Sequence, residues 1–225
     1  MAEFTIISIG TLSHNRLWNE AAAVRTPHAT TTLVTDADRS ILVDPSLPGQ
    51  ILEAKFFERT GGRLNDVTDV FLTTLRPVHR RGLEHLEHAN WWASEPELEA
   101  YRGHLEELLD SADRLGQEEA ATVHEDMRLV RKIQAAPERF APQVQLYPLP
   151  GASVGSAGLV LTPTTSTIVI AGDAALTREH LRAGQIWDGC VDAEVARETL
   201  TDLLEVADVI VPGHDNVLFC SQRWF

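Results

Sequence analysis

Three short apolar runs in this chain each end in a turn with ionisable residues, and this arrangement constrains the fold more than any other feature. The run VFLT precedes residues 74–79 (TLRPVH), the run TIVIA precedes Gly-Asp173, and the run DVIV precedes Pro-Gly-His214. Imidazole and carboxylate groups at the ends of strands are common metal ligands. The pattern therefore predicts an α/β fold whose strands end in turns that carry candidate metal ligands.

The three turns together resemble those of the metallo-β-lactamase superfamily. In that family the first turn reads His-x-His-x-Asp-His, a later turn contributes a His after Pro-Gly, and two further turns contribute a bridging Asp and a last His. The resemblance places these seven positions on Thr74, Arg76, Val78, His79, Ala152, Asp173 and His214. Four of the seven expected ligands are absent.

The losses fall mainly on one of the family's two metal half-sites. The first ion would use Thr74, Arg76 and Ala152, none of which offers an imidazole, so we expect that half-site to hold no metal. The second ion loses one ligand at Val78. The remaining metal ligands are His79, Asp173 and His214, a set that can hold one divalent ion, Zn, Fe or Mn.

Arg76 suggests an alternative in which no metal is bound. A guanidinium stays charged and offers several donors in a planar fork, so it can stand beside a carboxylate in place of a cation. We therefore predict an Arg76–Asp173 ion pair. This pair would compete with a metal for Asp173, and a hydrogen-bonded polar cluster without metal is the second interpretation of the site.

The resemblance also suggests roles for residues around the ligands. Asp173, Asp215 and Arg76 are the predicted catalytic residues, and Arg76, Ser153 and Asp188 are the predicted substrate-binding residues. Three of them have simpler structural alternatives: Asp215 can cap a helix or turn, Asp188 and Gly189 can form a tight turn, and Ser153 can form a hydrogen bond with its own backbone. Two further predictions concern Asp44, which is similar to a residue that supports the site in the family, and Cys190, which we interpret as a small buried apolar residue.

Composition excludes several classes of function. The net charge of −14 over 225 residues disfavours nucleic acid as a partner, because phosphate contacts depend on clustered Lys and Arg. No apolar stretch approaches the roughly 20 residues of a membrane span, and the N-terminus reads as a strand and not as a signal peptide. Only two cysteines are present, Cys190 and Cys220. We expect a cytoplasmic protein without a disulfide framework, acting on a small molecule and not on a membrane.

The order of elements predicts one domain over residues 1–225. Residues 29–35 and 40–44 should form a hairpin, followed by a helix around residues 51–57 that Gly61-Gly62 ends. Residues 95–136 should form two helices, an insertion or lid whose His104 and His124 are expected to be solvated. The resemblance implies an αββα four-layer sandwich, whereas the pattern alone would allow a general α/β domain.

Three functions remain open from the sequence. The preferred one is a divergent metal-dependent hydrolase of a small ester, thioester or lactone, with at most one metal. The alternative is a metal-free pseudoenzyme or small-anion-binding protein. The third is a structural role with a homodimer contact through one or more of the aromatic residues Trp91, Trp92, Trp224 and Phe225.

Overall fold

Two six-stranded sheets make up the centre of the molecule. The structure, a computed structural model, describes residues 1–110 and 116–220. The first sheet has the order β1 (Glu3–Ser8), β2 (Thr31–Asp36), β3 (Arg39–Val43), β4 (Asp69–Phe71), β5 (Asn90–Ala93), β6 (Gln134–Ala135). The second has the order β12 (Leu218–Phe219), β11 (Val209–Pro212), β10 (Ile168–Gly172), β9 (Ala157–Leu161), β8 (Val144–Pro148), β7 (Arg139–Ala141).

Helices cover the outer face of each sheet. They are α1 (Gly49–Thr60), α2 (Glu95–Asp110), α3 (Gln117–Val130), α4 (Arg178–Ala183) and α5 (Ala193–Val206). One apolar cluster joins the first sheet to α1, α2 and α3, a second fills the space between the sheets, and a third joins the second sheet to α4 and α5. Three apolar layers between four layers of elements make the αββα sandwich that the resemblance implied.

The alternation of side chains along the central strands explains this layering. In β3, Leu42 belongs to the outer cluster, whereas Ile41 and Val43 belong to the cluster between the sheets. In β10, Ile168 and Ile170 face the other sheet, whereas Val169 packs towards α4 and α5. Strands buried on both faces read as continuous apolar runs, which is why these segments stood out in the sequence.

Most of the elements predicted from periodicity are present. β2 and β3 form the expected antiparallel hairpin, and α1 ends at Gly61 in a left-handed conformation (φ +72°) that glycine adopts without strain. The predicted helical segment 95–136 is too long at its end, because the last helix stops at Val130 and residues 134–135 pair with β5. The lid function and the single-domain boundary stay predictions.

The aromatic residues of the predicted dimer contact are engaged within the fold where they are described. Trp91 is buried and its Nε1 donates to the Leu86 carbonyl (2.8 Å), and Trp92 Nε1 donates to Asp69 (2.8 Å). Trp224 and Phe225 lie outside the described residues. A homodimer therefore stays a prediction. Among the helices of residues 1–110 and 116–220, none has the length and apolar character that crossing a bilayer requires.

Asp69, the first residue of β4, is a buried carboxylate that anchors the beginning of this strand. Its oxygens accept hydrogen bonds from Arg39, Thr68 and Trp92 at 2.7 to 2.9 Å. Burial alone would raise the pKa of Asp69, but the donors of Thr68, Trp92 and Arg39 outweigh it and lower the pKa below its ordinary value. A carboxylate with a lowered pKa stabilises the fold when it is ionised.

We predict that Asp69→Asn lowers the free energy of unfolding by about 2 kcal/mol at pH 7, because an amide is a weaker acceptor for these donors. The unfolded carboxyl has a pKa of about 3.9, so the stabilisation is complete above that pH and is lost as the pH falls through the folded pKa. Urea unfolding at pH 7 and pH 3 measures the difference. Asp38→Asn in the exposed hairpin turn is the control, and a difference that does not change with pH would contradict the prediction.

Candidate metal centre

Three buried side chains from three separate turns meet at one edge of the sandwich. His79 ends the 3-10 helix Pro77–His79 beyond β4, Asp173 follows β10, and His214 follows β11. One potential ligand atom from each lies within 4.8 Å of the others. The exposed fractions are 0% for His79, 5% for Asp173 and 7% for His214. These are the residues that the sequence predicted to come together.

Both imidazoles turn the same ring nitrogen towards Asp173. His79 Nε2 lies 3.2 Å from Asp173 Oδ2, and His214 Nε2 lies 3.1 Å from Asp173 Oδ1. On the opposite side of each ring, Nδ1 faces oxygen atoms, and the Thr73 hydroxyl, 3.4 Å from His79 Nδ1, donates its own hydrogen to Asp44. The closer contacts are acceptors. These are Asp44 Oδ2 at 3.0 Å for His79, and the carbonyls of Thr11 (3.2 Å) and His28 (3.0 Å) for His214. Acceptors at Nδ1 favour a proton on that atom, which leaves Nε2 as the ligand atom of a neutral ring.

Asp44 is the residue that orients His79. It adopts a left-handed backbone conformation (φ +49°), and its side chain accepts hydrogen bonds from Thr73 N (2.9 Å) and Thr73 Oγ1 (2.7 Å). An Asp tolerates this conformation better than most residues do. The strand end at Thr73 therefore holds Asp44, which in turn holds the ring of His79, as the sequence comparison had suggested.

Electrostatic coupling is strong because the cluster is buried. Burial alone would lower the pKa of His79, but the charges of Asp173 and Asp44 outweigh it and raise this pKa to about 10. Burial favours the protonated form of Asp173, yet His79 and His214 hold the pKa of that carboxyl well below its ordinary range. Without a metal, His79 therefore carries a second proton that pairs with the two carboxylates.

The ion pair predicted between Arg76 and Asp173 is present. Arg76 Nη1 lies 2.8 Å from Asp173 Oδ2, and Nη2 donates to the Ala152 carbonyl at 2.6 Å. The guanidinium also stacks on Trp187, with its carbon 3.7 Å from the ring centroid. Arg76 thus lies among the positions of the family's first half-site. It brings a fixed positive charge to them.

Glu97 was not predicted, although it joins two of the loops around the site. This residue of α2 is 4% exposed. Its Oε1 accepts from Thr74 Oγ1 (2.8 Å) and Leu75 N (2.9 Å), and its Oε2 accepts from Ser153 Oγ (2.6 Å) and Gly155 N (3.2 Å). The carboxylate therefore connects the first motif turn to the Pro-Gly turn. Nothing in its local sequence separates it from the other Glu residues at the start of the helix.

The remaining predicted site residues make structural contacts. Asp215 accepts from the backbone N–H groups of Arg178 (2.9 Å) and Asn216 (2.7 Å). Asp188 pairs with Arg16 at 2.7 Å, and both side chains are largely exposed. Ser153 donates to Glu97, as described above. Their catalytic and substrate-binding roles stay predictions.

Cys190, His104 and His124 were each given a simple structural interpretation from the sequence. The two histidines are exposed as predicted, and Cys190 is partly buried where full burial was expected. Cys190 is partly buried, and burial raises the pKa of its thiol, so the thiolate is disfavoured. His104 and His124 of the helical insertion are both exposed. Neither histidine belongs to the described residues that line the cavity beside Asp173.

A cavity of about 170 Å³ opens beside the cluster. Its walls combine the polar groups of the site with apolar side chains, among them Leu12, Arg76, Val78, Asp173, Trp187 and His214. Val78, which replaces a ligand of the family motif, is therefore part of an apolar wall. The cavity is large enough for a small molecule or for one end of a larger one.

The sequence profile of the metallo-beta-lactamase superfamily matches residues 25–214, and the chain belongs to this superfamily. No curated protein sequence matches the chain.

Solved structures share the fold at low sequence identity. A metallo-β-lactamase homologue from Thermotoga maritima is 18% identical, with 97% of this chain and 99% of that chain covered and a TM-score of 0.70. AidC, a dizinc quorum-quenching lactonase, is 15% identical, with 97% and 87% covered and a TM-score of 0.68. A mutant form of AiiA from B. thuringiensis, with N-decanoyl-L-homoserine bound at its active site, is 19% identical, with 95% and 92% covered and a TM-score of 0.60.

We predict that Glu97→Gln lowers the free energy of unfolding by about 2 to 3 kcal/mol, since the amide loses the charge and presents N–H groups to a set of donors. Denaturant unfolding measures this change. Glu99→Gln, on the exposed side of the same helix, is the matched control and should change stability by less than about 0.5 kcal/mol. Equal effects of the two substitutions would contradict the assigned role of Glu97.

Proposed function

We propose that this protein is a hydrolase with a single-metal centre, whose ligands are His79, Asp173 and His214. The observation that carries the proposal is the shared orientation of the two buried imidazoles. Both present Nε2 to one carboxylate while oxygen acceptors hold Nδ1. This arrangement of acceptor, imidazole and open ligand atom is typical of histidines that bind metal.

The donor chemistry distinguishes the two half-sites. At the first, Thr74 is bonded to Glu97, Arg76 is a cation, and Ala152 has no donor atom in its side chain, so these residues do not fit a metal ion. At the second, two nitrogen atoms and one carboxylate fit Zn, Fe or Mn with coordination positions left open. The proposal therefore differs from the two zinc ions named for AidC.

A bound metal would act as a Lewis acid and would lower the pKa of a water molecule for attack on a carbonyl group. The other tasks fall to side chains of this protein. Asp44 and the carbonyls of Thr11 and His28 hold the two imidazoles in place. Arg76, whose side chain is 24% exposed, faces the cavity and can stabilise negative charge on a substrate oxygen.

The proposed substrate is a small ester, thioester or lactone. The cavity volume of about 170 Å³ and its apolar walls at Leu12, Val78 and Leu176 favour a small group with an uncharged portion. The lactonase activity named for AidC supports carbonyl hydrolysis as the first reaction to test. In this proposal Asp215 and Ser153 position the loops on either side of the reacting group, through Arg178 and Glu97 respectively.

Metal content tests this proposal directly. We predict about one equivalent of Zn, Fe or Mn in protein purified without a metal-affinity column, and none in His79→Ala or His214→Ala, because each loses one of three ligands. Elemental analysis measures the content. His104→Ala and His124→Ala, at exposed histidines, are the controls and should keep the metal. Wild-type protein that contains no metal and takes up none on addition would rule out the proposal.

Arg76 should weaken metal binding, because its guanidinium occupies Asp173 Oδ2 and repels a cation. We predict that Arg76→Ala binds zinc about tenfold more tightly than the wild type, the factor expected from the loss of one competing charge-assisted hydrogen bond. Competition with a fluorescent zinc chelator measures the affinity. Arg16→Ala, which removes an exposed arginine paired with Asp188, is the control. Unchanged affinity in Arg76→Ala would show that the ion pair does not compete with metal.

A second function is favoured by the extensive anchoring of Arg76. The guanidinium contacts Asp173, Ala152 and Trp187 at the same time, so it is fixed at the cavity wall without a metal. A metal-free protein could use it to bind a small anion. In that case acetate or phosphate would raise the melting temperature in the presence of a chelator, and Arg76→Ala would abolish the effect.

A further inference from the structure

A second cavity, of about 160 Å³, adjoins the cavity of the metal centre. The loop of residues 12–16 forms one side of it, and His180, Trp187 and Asp188 form the other. Leu12, Ser13 and Trp187 line both cavities, so the two volumes are lobes of one cleft. We call the second volume the recognition lobe. Its size corresponds to roughly five water molecules, each of which takes about 30 Å³ in the liquid.

His180 presents a free ring nitrogen in this lobe. Its Nδ1 lies 2.8 Å from Thr177 Oγ1, and Thr177 also caps the start of α4. Within the described part of the chain, Nε2 of His180 has no hydrogen-bond partner. Burial lowers the pKa of His180 and the nearby His214 adds to the effect, against the opposing charges of Asp188 and Glu179, so the ring is neutral at pH 7. A neutral imidazole held at one nitrogen can bond a ligand with the other.

Asn15 adds an unpaired donor to the wall of the same lobe. The residue is 1% exposed, and its Oδ1 accepts from Leu17 N at 3.0 Å. Its Nδ2 is buried and has no partner among the described residues. Buried amide donors nearly always have an acceptor, and an unpaired one costs free energy that an acceptor would recover. The donor therefore marks a place where an oxygen atom of a bound molecule fits.

Charge in the lobe is balanced. Arg16 and Asp188 form an ion pair at 2.7 Å on the exposed rim, with side chains 74% and 70% exposed. The charges of Arg16 and Asp188 offset each other, so this pair does not favour an ionic group. His14 also lines the lobe, and its Nδ1 lies 3.3 Å from Ser13 Oγ. Thr177 Oγ1 donates to Glu179 Oε2 (3.1 Å), so it accepts from His180 Nδ1–H and leaves Nε2 as an acceptor. The Asn15 donor and this acceptor together suit a neutral amide group, whose oxygen accepts and whose N–H donates.

We propose that the recognition lobe binds a neutral carbonyl or amide group of the substrate, through Asn15 and His180, while the scissile bond lies in the lobe beside Asp173. The interpretation of this lobe as a substrate subsite rests on the proposed hydrolase function. It adds a specificity determinant that lies outside the ligand set, on a loop and a helix that the metal motif does not include.

Side-chain NMR tests the proposal without the need for a known substrate. The probes are N-methylacetamide, acetate and methylammonium, each titrated to about 100 mM into ¹⁵N-labelled protein, a range suited to ligands of so few atoms. We expect N-methylacetamide to shift the Asn15 Nδ2 and His180 Nε2 resonances. Acetate and methylammonium should shift them far less. Equal responses to all three probes, or no response to N-methylacetamide, would overturn the proposal.

Two variants show whether the shifts come from the assigned groups. Asn15→Asp keeps the oxygen that caps Leu17 and removes the donor, and His180→Asn keeps a partner for Thr177 and removes Nε2. Each should bind N-methylacetamide about fivefold more weakly, the factor that corresponds to one neutral hydrogen bond. Binding should be unchanged in Asn65→Asp, an exposed control that adds the same charge elsewhere. Unchanged binding in both lobe variants would overturn the proposal.

The same titration with and without zinc separates this proposal from the hydrolase proposal. Binding of N-methylacetamide in chelator-treated protein, with the two variants impaired, supports the recognition lobe whatever the metal content. If the protein takes up zinc but the lobe does not bind the probe, the subsite is wrong and the metal centre stands. If the lobe binds but no metal is taken up, the hydrolase proposal fails while the binding site remains.

Discussion

The carboxylate of Asp173 is the group on which the arrangement of this site depends. It is buried, and its two oxygens contact one guanidinium and one imidazole from the first motif turn and a second imidazole from the turn after β11. An isolated buried carboxylate would be very costly, whereas one paired with several donors is stable and fixes the positions of its partners. The edge where the two sheets deliver their loops is therefore organised around a single negative charge, whether or not a metal joins it.

Arg76 and Glu97 together explain how the loops of the first half-site stay connected although Thr74, Arg76 and Ala152 offer no imidazole. A metal ion would tie the first motif turn to the Pro-Gly turn and to Asp173. Here Arg76 links its own turn to Ala152 and Asp173, and Glu97 links Thr74 to Ser153 and Gly155. A cation and a buried carboxylate thus make the loop connections that coordination bonds would make. Hydrogen bonds and an ion pair therefore connect the loops at the positions where the family has histidines.

The sequence was sufficient for the strands and for the three candidate ligands, because both have strong local signals. Apolar runs that end at Gly or Pro predict buried strands, and the turn after β10 places Asp173 without further information. Glu97 could not be predicted, because its role depends on Ser153, 56 residues later, and its neighbours Glu95 and Glu99 look the same in sequence. The two-residue strand β6 is also too short to show a recognisable alternation of apolar and polar residues. Its pairing with β5 comes from tertiary contact.

The helical insertion contacts the turn that carries His79, in addition to the lid function predicted for it. Arg80, the residue after His79, donates to Leu75 O (2.7 Å), to Asp126 (2.8 Å) and to Tyr101 Oη (3.2 Å). Tyr101 in turn donates to Asp126 at 2.6 Å, so α2 and α3 share one partly buried polar network with the turn that holds His79. Since a change in the packing of these helices would move that turn, the insertion helps to set the position of His79 independently of any lid function.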